Sequence, residues 1–334
     1  MATNTLNQVA ELSGDAITLE ERTPFQIVMR RFRRHKLAMV ALVVISVILS
    51  ITILAPYITP FDVQEINVGK YFVPFGTVDE ATGRTHYLGT DNIGRDYFSR
   101  LIFAGRISLA VAFISVMISE TIGIVVGSIS GFYGKWLDAV LMRFVEFMLT
   151  IPTLPLLLII ASMLLANEAL IPIPPVVLNI VGKIMLLGPR DARSAVLIVL
   201  VLSGLGWMGS AQLMRGMILS LREQTFVEAS RSLGASNIWI ILRHMIPNAL
   251  APIIVSASLG LAGYVVAEAA LAFLGFGIQD PVPTWGNMLA GTQTYMFDRP
   301  WLPLVPGLPI FICSLSFNYI GDGLRDALDP RLKL

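Results

Sequence analysis

Long apolar runs dominate the chain, and short polar stretches punctuate them. A helix needs about 20 consecutive apolar residues to cross a bilayer. Six stretches reach that length: residues 37–55, 107–132, about 140–166, 194–214, 249–277 and 301–321. The first is uncharged and is closed by Pro56. The second carries Glu120 and the fifth carries Glu268. The third contains Pro152 and Pro155, with Arg143 and Glu146 near its start. At a spacing of three those two form a local pair. Glycine and proline inside such runs are ordinary, because neighbouring helices satisfy the freed backbone groups. Residues 171–181 are apolar but short, broken by Pro172, Pro174 and Pro175, and followed by Lys183, Arg190 and Arg193. They read as an interfacial or re-entrant loop. The pattern predicts an all-α polytopic membrane protein with six transmembrane helices.

Composition agrees. Of 334 residues, 55% are apolar and 14% charged, and the mean hydropathy of +0.72 is too oily for a soluble domain. The net charge of +1 says little; its distribution says more. Arg22, Arg30, Arg31, Arg33, Arg34 and Lys36 abut the first run. Such a cluster stays cytoplasmic or binds lipid headgroups. With six spans both ends share one side, and the segments on that side hold 15 of the 24 lysines and arginines. That makes it the cytoplasmic side.

The chain then divides into a tail at 1–36, a first span at 37–55, an extracytoplasmic loop at 56–106, a core at 107–325 and a tail at 326–334. Residues 1–19 are expected to be disordered. The first 36 residues lack an apolar core, so no cleavable signal peptide is expected and the first span serves as its own insertion signal. In the loop at 56–106, Gly89, Asp91, Asn92 and Gly94 are turn chemistry. From Arg95 onward, Tyr97, Phe98, Leu101 and Ile102 fall on one face, which predicts an amphipathic helix on the membrane surface. The stretch 278–300 reads as irregular, with Trp285 and Trp301 in an interfacial belt.

The sequence carries no engine. No GxxxxGK[ST] loop occurs; the nearest fragment, GFYGKW at 131–136, lacks the spacing and the Ser/Thr. HExxH, GxSxG and CxxC are also missing. His35, His86 and His244 are scattered over three segments, which argues against a metal cluster. Cys313, the only cysteine, lies in an apolar run as a small buried hydrophobe. Uphill movement of a solute would need a partner or an ion gradient. Glu120 and Glu268 suit a substrate or proton site in the pore, or an interhelix hydrogen bond. The small-residue runs at 123–131 and 256–263 serve close helix packing or line a pore.

The most specific stretch is 228–247, EASRSLGASNIWIILRHMIP. It predicts a helix over 224–233 with Phe226, Ala229, Ser230 and Leu233 on one face. Gly234 stands where a C-cap needs a left-handed residue. Ser236 or Asn237 caps a second short helix. Pro247 suits the first turn of the fifth span. The pair is either a docking element for a partner or a plain surface helix pair.

Glu228-Ala229-Ser230, then Gly234, then Ile246-Pro247 resembles the EAA loop of bacterial ABC-importer permeases, E-A-A-x3-G-x9-I-x-L-P. Ser230 replaces the second Ala, Ile246 the Leu, and His244 stands where the pattern has Ile. RHMIPN at 243–248 resembles the version in the dipeptide/oligopeptide branch. So do LGTDNIGRDYFSR at 88–100, AFLGFGIQDPVPTWGNML at 272–289 and IGDGLRDALDPR at 320–331. The likeness runs from about residue 24 to the end and is specific for the second of the two permease types, although the proline-rich insert at 171–193 is longer than that type suggests.

The resemblance implies one half of a heteromeric pore in the bacterial inner membrane, with both termini cytoplasmic. It implies a second permease, two ATPases that bind Mg-ATP, and an extracytoplasmic solute-binding protein. This chain itself would bind no cofactor, would not be an enzyme, and would contact membrane lipid but no nucleic acid. The loop at 219–248 becomes a coupling helix seated in an ATPase. Glu228, Ala229, Ser230, Gly234, Ala235, Ser236 and Pro247 carry the docking. Importers of nickel, glutathione or another small solute share the permease type. A self-sufficient proton-coupled transporter is the alternative of another class, although no inverted repeat is visible.

Overall fold

The computed structural model describes residues 24–168 and 171–329. The expected disorder of 1–19, the position of Arg22 and the last five residues of the C-terminal tail lie outside them. Helices α1 (Pro24–Arg34) and α2 (Lys36–Ile53) meet at His35, whose Nδ1 accepts the Ala38 N–H at 3.1 Å. The short α3 (Ala55–Ile58) holds Pro56 in its first turn, where a missing N–H costs nothing. A hairpin of β1 (Thr77–Val78) and β2 (Thr85–His86) follows.

Helix α4 (Tyr97–Tyr133) starts at Asp96, whose carboxylate accepts the Ser99 N–H at 2.7 Å, and ends at Gly134 with φ +63°. Its 37 residues span about 55 Å at ~1.5 Å each, against about 30 Å of hydrocarbon. The extra length corrects the expected surface helix. Residues 97–106 are the first turns of α4, and Tyr97, Arg100 and Ile102 are buried. Nothing between them and the apolar run stops the helix. Gly105 serves packing instead, for a Cβ there would meet Trp285 at 2.7 Å.

The expected third span is two helices, α5 (Lys135–Thr150) and α6 (Thr153–Ala166), bent by 94°. Ile151 between them is extended (φ −81°, ψ 131°), as the residue before a proline tends to be. Arg143 and Glu146 pair at 3.5 Å, as their spacing predicts. The proline-rich insert is not a loop throughout. Pro175 opens α7 (Pro175–Met185), too short to cross a bilayer, which buries Val181 and Met185 against α8 (Pro189–Arg222). After α8 come α9 (Thr225–Ser232) and α10 (Asn237–Ile240), a π-helical turn over Ile241–Met245, and α11 (Ile246–Phe273). Last are α12 (Trp285–Gly291), with a Thr284–Asn287 capping box, and α13 (Leu304–Leu328).

Among the described residues five helices are long and apolar enough to cross a membrane, and the α5–α6 pair adds a sixth if its two helices count as one bent span. The fifth starts earlier than its hydropathy suggests. Pro247 falls in the first turn of α11, as its sequence suggests, and the π turn before it runs α10 and α11 together over 237–273. The π turn just before Pro247 absorbs the lost hydrogen bond and the ring's crowding of the preceding turn. Trp285 is buried beside α4, not in an interfacial belt; its indole N–H donates to Leu101 O at 3.2 Å.

The most extensive packing is between α4 and α8. Gly123, Gly127 and Gly131 recur every fourth residue and so share one face. A Cβ on each would meet Ser210 at 2.6 Å, Ala211 O at 2.4 Å and Arg215 O at 2.9 Å. The run at 123–131 therefore packs helix on helix. The run at 256–263 is mixed: Gly260 faces Val116 at 3.2 Å, whereas Gly263 faces open space.

Gly127→Ala must push α8 aside, since the obstacle is a backbone oxygen. It should destabilise the protein by roughly 1–3 kcal/mol. Gly209→Ala, with nothing within 4 Å, should be neutral or gain up to about 1 kcal/mol of helix propensity. Thermal unfolding of the detergent-purified variants distinguishes the two; equal melting points would contradict the packing.

Candidate docking loop, intramembrane carboxylates and charge clamp

The loop between α8 and α11 is held from both ends. Helix α9 closes in a complete Schellman motif. The Gly234 N–H donates to Arg231 O at 2.9 Å and the Ala235 N–H to Ser230 O at 3.1 Å. Gly234 takes φ +80°, as its position in the sequence predicts. Ser236 caps α10 by accepting the Trp239 N–H at 3.4 Å.

The inward side of the pair is apolar. Val227, Ile240 and Met245 are fully buried among Phe132, Met214 and Ile218. Burying Val227 alone is worth roughly 1.5–3 kcal/mol. The Arg231 guanidinium lies 5.3 Å from the Phe132 ring centre. The face that carries Phe226, Ala229 and Leu233 is the outward one: Leu233 is 88% exposed, and Phe226 and Ala229 are exposed with it. Ile238 and Leu242 join them, leaving an apolar surface at the tip. His244 fills the position where the resembled pattern has Ile. Its ring lies 4.7 Å from that of Trp239 and 6.2 Å from that of Phe226.

Of the expected docking residues, Glu228, Ala229, Ser230, Gly234, Ala235 and Ser236 gather on this pair. Glu228 is exposed in the first turn of α9, where a carboxylate is favoured by the helix dipole. Pro247 lies apart, in the shaft of the long helix. Leu233, Ile238 and Leu242 are missing from the expected set. Their signal was the i, i+4 spacing of Ile238 and Leu242.

The two carboxylates do not meet. They mark two levels of one antiparallel seam between α4 and α11. Glu120 on α4 is half-buried and neighbours Ser210 and Ser256, whose hydroxyls lie 3.4 Å apart. Glu268 on α11 is 1% exposed. The hydroxyls of Ser108 and Thr284 flank it, but neither closes a hydrogen bond of normal geometry on its oxygens. Each helix thus contributes one glutamate and, 12 residues away, one serine to its partner's glutamate. Twelve residues of helix put the two levels about 18 Å apart. Between them Tyr264 donates to Ser119, which donates to Ser203 O at 3.1 Å. Ala269 and Ala272, beside Glu268, press on Gly286, where a Cβ would meet them at 2.6–2.7 Å.

At the end of the molecule opposite the loop, two motifs far apart in sequence close on each other. Asp91 accepts the N–H groups of Ile93 and Arg95 and pairs with Arg95 Nε at 2.7 Å. Arg95 reaches Asp280 at 3.2 Å, and Arg100 reaches it at 2.7 Å. Arg100 also donates to Val63 O and Pro281 O, both at 3.2 Å. A cavity of about 220 Å³ opens beside this clamp, lined by Phe72, Tyr97 and Tyr295 among others. Below it His86, stacked on Phe61, bonds Asp96 at 2.8 Å and so ties the hairpin to the cap of α4.

Burial pushes the Asp280 carboxyl up, but the nearby charges of Arg100 and Arg95 outweigh it and hold the group below the usual carboxylate range. A lowered folded value means that the clamp stabilises fully above the unfolded value of 3.8 and fades as pH falls through the folded one. Pepsin, active in acid, should therefore cut within 278–300 slowly at pH 4 and faster at lower pH. Asp280→Asn should be cut rapidly already at pH 4. Equal rates for the two proteins at pH 4 would contradict the clamp.

Known proteins resemble the chain along most of its length. Residues 123–334 match the family described as binding-protein-dependent transport system inner membrane component. Residues 23–74 match the N-terminal TM domain of oligopeptide transport permease C. The dipeptide transport system permease protein DppC of Haemophilus influenzae is 35% identical over 322 residues, covering 96% of this chain and 100% of its own. DppC of Alkalihalophilus pseudofirmus is 35% identical over 311 residues, 93% of this chain and 91% of its own. The glutathione transport system permease protein GsiD of Pectobacterium atrosepticum is 33% identical over 312 residues, 93% of each chain.

Proposed function

The chain belongs to the binding-protein-dependent transport system inner membrane components, and from that premise we propose how it works. It is a multi-pass inner-membrane permease subunit of an ABC importer, and its cargo is di- or oligopeptides. It forms half of the pore beside a different second permease. Two partner ATPases supply Mg-ATP hydrolysis, and a solute-binding protein delivers the peptide. Both termini and the 219–248 loop face the cytoplasm, and the Asp280 clamp faces outward.

The observation that carries this reading is the loop itself. It is braced from within by Val227, Ile240 and Met245 while presenting Phe226, Leu233, Ile238 and Leu242 outward without a partner. Exposed apolar clusters of this kind mark interaction sites. An ATPase groove would cover them, with Glu228 and the small Ala229 and Ser230 allowing close approach. Closure of the two ATPases would move the loop as a rigid body and rock the helices about the α4–α11 seam. Glu120, half-buried on that seam, is assigned to the cargo path. Glu268, sealed behind Trp285 and Gly286, is assigned to the gate.

A second cargo has support. Relatives named as glutathione permeases are nearly as similar as the dipeptide permeases, and glutathione is itself a small peptide.

Leu233→Asp, a change at an exposed tip, should leave insertion and melting unchanged. It should cut ATPase co-purification and peptide uptake by about tenfold or more, the effect of losing ~1.4 kcal/mol of docking. Gly234→Asp should assemble but uncouple ATP hydrolysis from uptake. Undiminished uptake in both variants would sink the docking role. A cysteine placed by Ser232→Cys, in a Cys313→Ser background, should react only with reagent supplied from the cytoplasm; reaction from outside would overturn the orientation.

A further inference from the structure

At the clamp end of the molecule an apolar groove of about 570 Å³ runs between α2, α4, α7, α11 and α13. That is the size of a small-molecule pocket, typically about 300–1,000 Å³. Leu49, Ile53, Phe113, Ile184, Leu261 and Phe317 line it. Arg106 is the one charged residue in its wall. Its Nε donates to Ile184 O at 2.9 Å and its Nη1 to Ile53 O at 3.0 Å. Both carbonyls belong to last turns of helices, where backbone acceptors lack intrahelical partners. Two donors are thereby satisfied, but the charge is not. Among the described residues no carboxylate lies within ion-pair distance of Arg106, and its Nη2 makes no hydrogen bond.

We propose that this groove is a binding site for an anionic phospholipid, with an acyl chain between the helices and the phosphate on Arg106. Arg106 sits where the apolar run of α4 begins and α2 ends, which is headgroup level. An unpaired cation there is costly in a low-dielectric setting. A guanidinium matches a phosphate in geometry and charge, and such pairs are strong when partly shielded from water. The helix ends hold the arginine in place before any lipid arrives, and the lipid supplies the counter-charge that the protein lacks. Because α2, α4, α7, α11 and α13 all meet there, occupancy ties five helices together.

The test uses the complete assembly of both permeases with their ATPases, in nanodiscs of palmitoyl-oleoyl phosphatidylglycerol or phosphatidylcholine. Phosphatidylglycerol should raise the melting point more than phosphatidylcholine, and native mass spectrometry should find it retained. Glycerol phosphate alone should do neither, which separates a lipid from a free phosphate. Arg106→Gln should lower apparent lipid affinity by about tenfold or more, as expected for loss of a charge-assisted hydrogen bond. Arg106→Lys should keep most of the phosphatidylglycerol increment. Ala110→Phe keeps the arginine but fills the groove, and should abolish retention. Equal melting in the two lipids, or an increment that survives Arg106→Gln and Ala110→Phe, would overturn the site. So would an assembly that retains no lipid and splits into separate permeases on Ala110→Phe; the groove would then be a subunit interface.

Discussion

The close approach of α4 and α8 is the constraint on which the other features depend. Three glycines on one face of α4 bring it to within van der Waals contact of the α8 backbone. In a bilayer such packing carries helix association, because lipid offers no hydrophobic drive between helices. The pair then serves both ends of the molecule. At one end Phe132 of α4 and Met214 and Ile218 of α8 form the floor on which the 219–248 loop rests. At the other, α4 presents Arg100, where Arg95 joins it in gripping Asp280. Arg215 of α8 and Asp138 of α5 fasten the loop end further, with paired bonds of 2.5 and 2.6 Å.

Much of this was legible in the chain. Hydropathy found the membrane helices, and Gly234 and Ser236 foretold the turn and cap of the loop. These are features that a residue's own chemistry decides. What remained hidden depends on neighbours far away in sequence. Both sides of α9 carry apolar residues, so the helical pattern could not tell that Val227 goes in and Leu233 stays out. Pro152 and Pro155 read as ordinary inside one span, and nothing local announced a bend of 94°. Trp285 looked like a belt residue until the burial of its ring beside Gly105 was seen. The clamp joins residues 185 positions apart, Arg95 and Asp280. Each belongs to a motif that the resemblance had singled out, yet nothing local linked the two.

The seam between α4 and α11 has a symmetry that neither helix shows alone. Because the helices are antiparallel, Glu120 meets Ser256 at one level and Ser108 neighbours Glu268 at the other. A carboxylate is costly inside a membrane, and placing each beside a hydroxyl of the opposite helix gives both the same local remedy. The remedy is partial at both, for the oxygens of Glu268 and Oε2 of Glu120 lack well-formed bonds. The two carboxylates differ instead in exposure, although their chemistry is the same. One is half-open and the other is walled in by the Trp285 helix.

The π-helical turn at Ile241–Met245 has a mechanical consequence. Without it, Pro247 would break the helix and hinge the loop against the membrane. With it, residues 237–273 form a single shaft about 55 Å long at ~1.5 Å per residue. Such a shaft works as a lever. A tilt of about 5° around one end carries the other end about 5 Å sideways over that length, nearly the diameter of a peptide backbone. The loop and the level of Glu268 thus belong to one continuous helix, with Pro252 inside it.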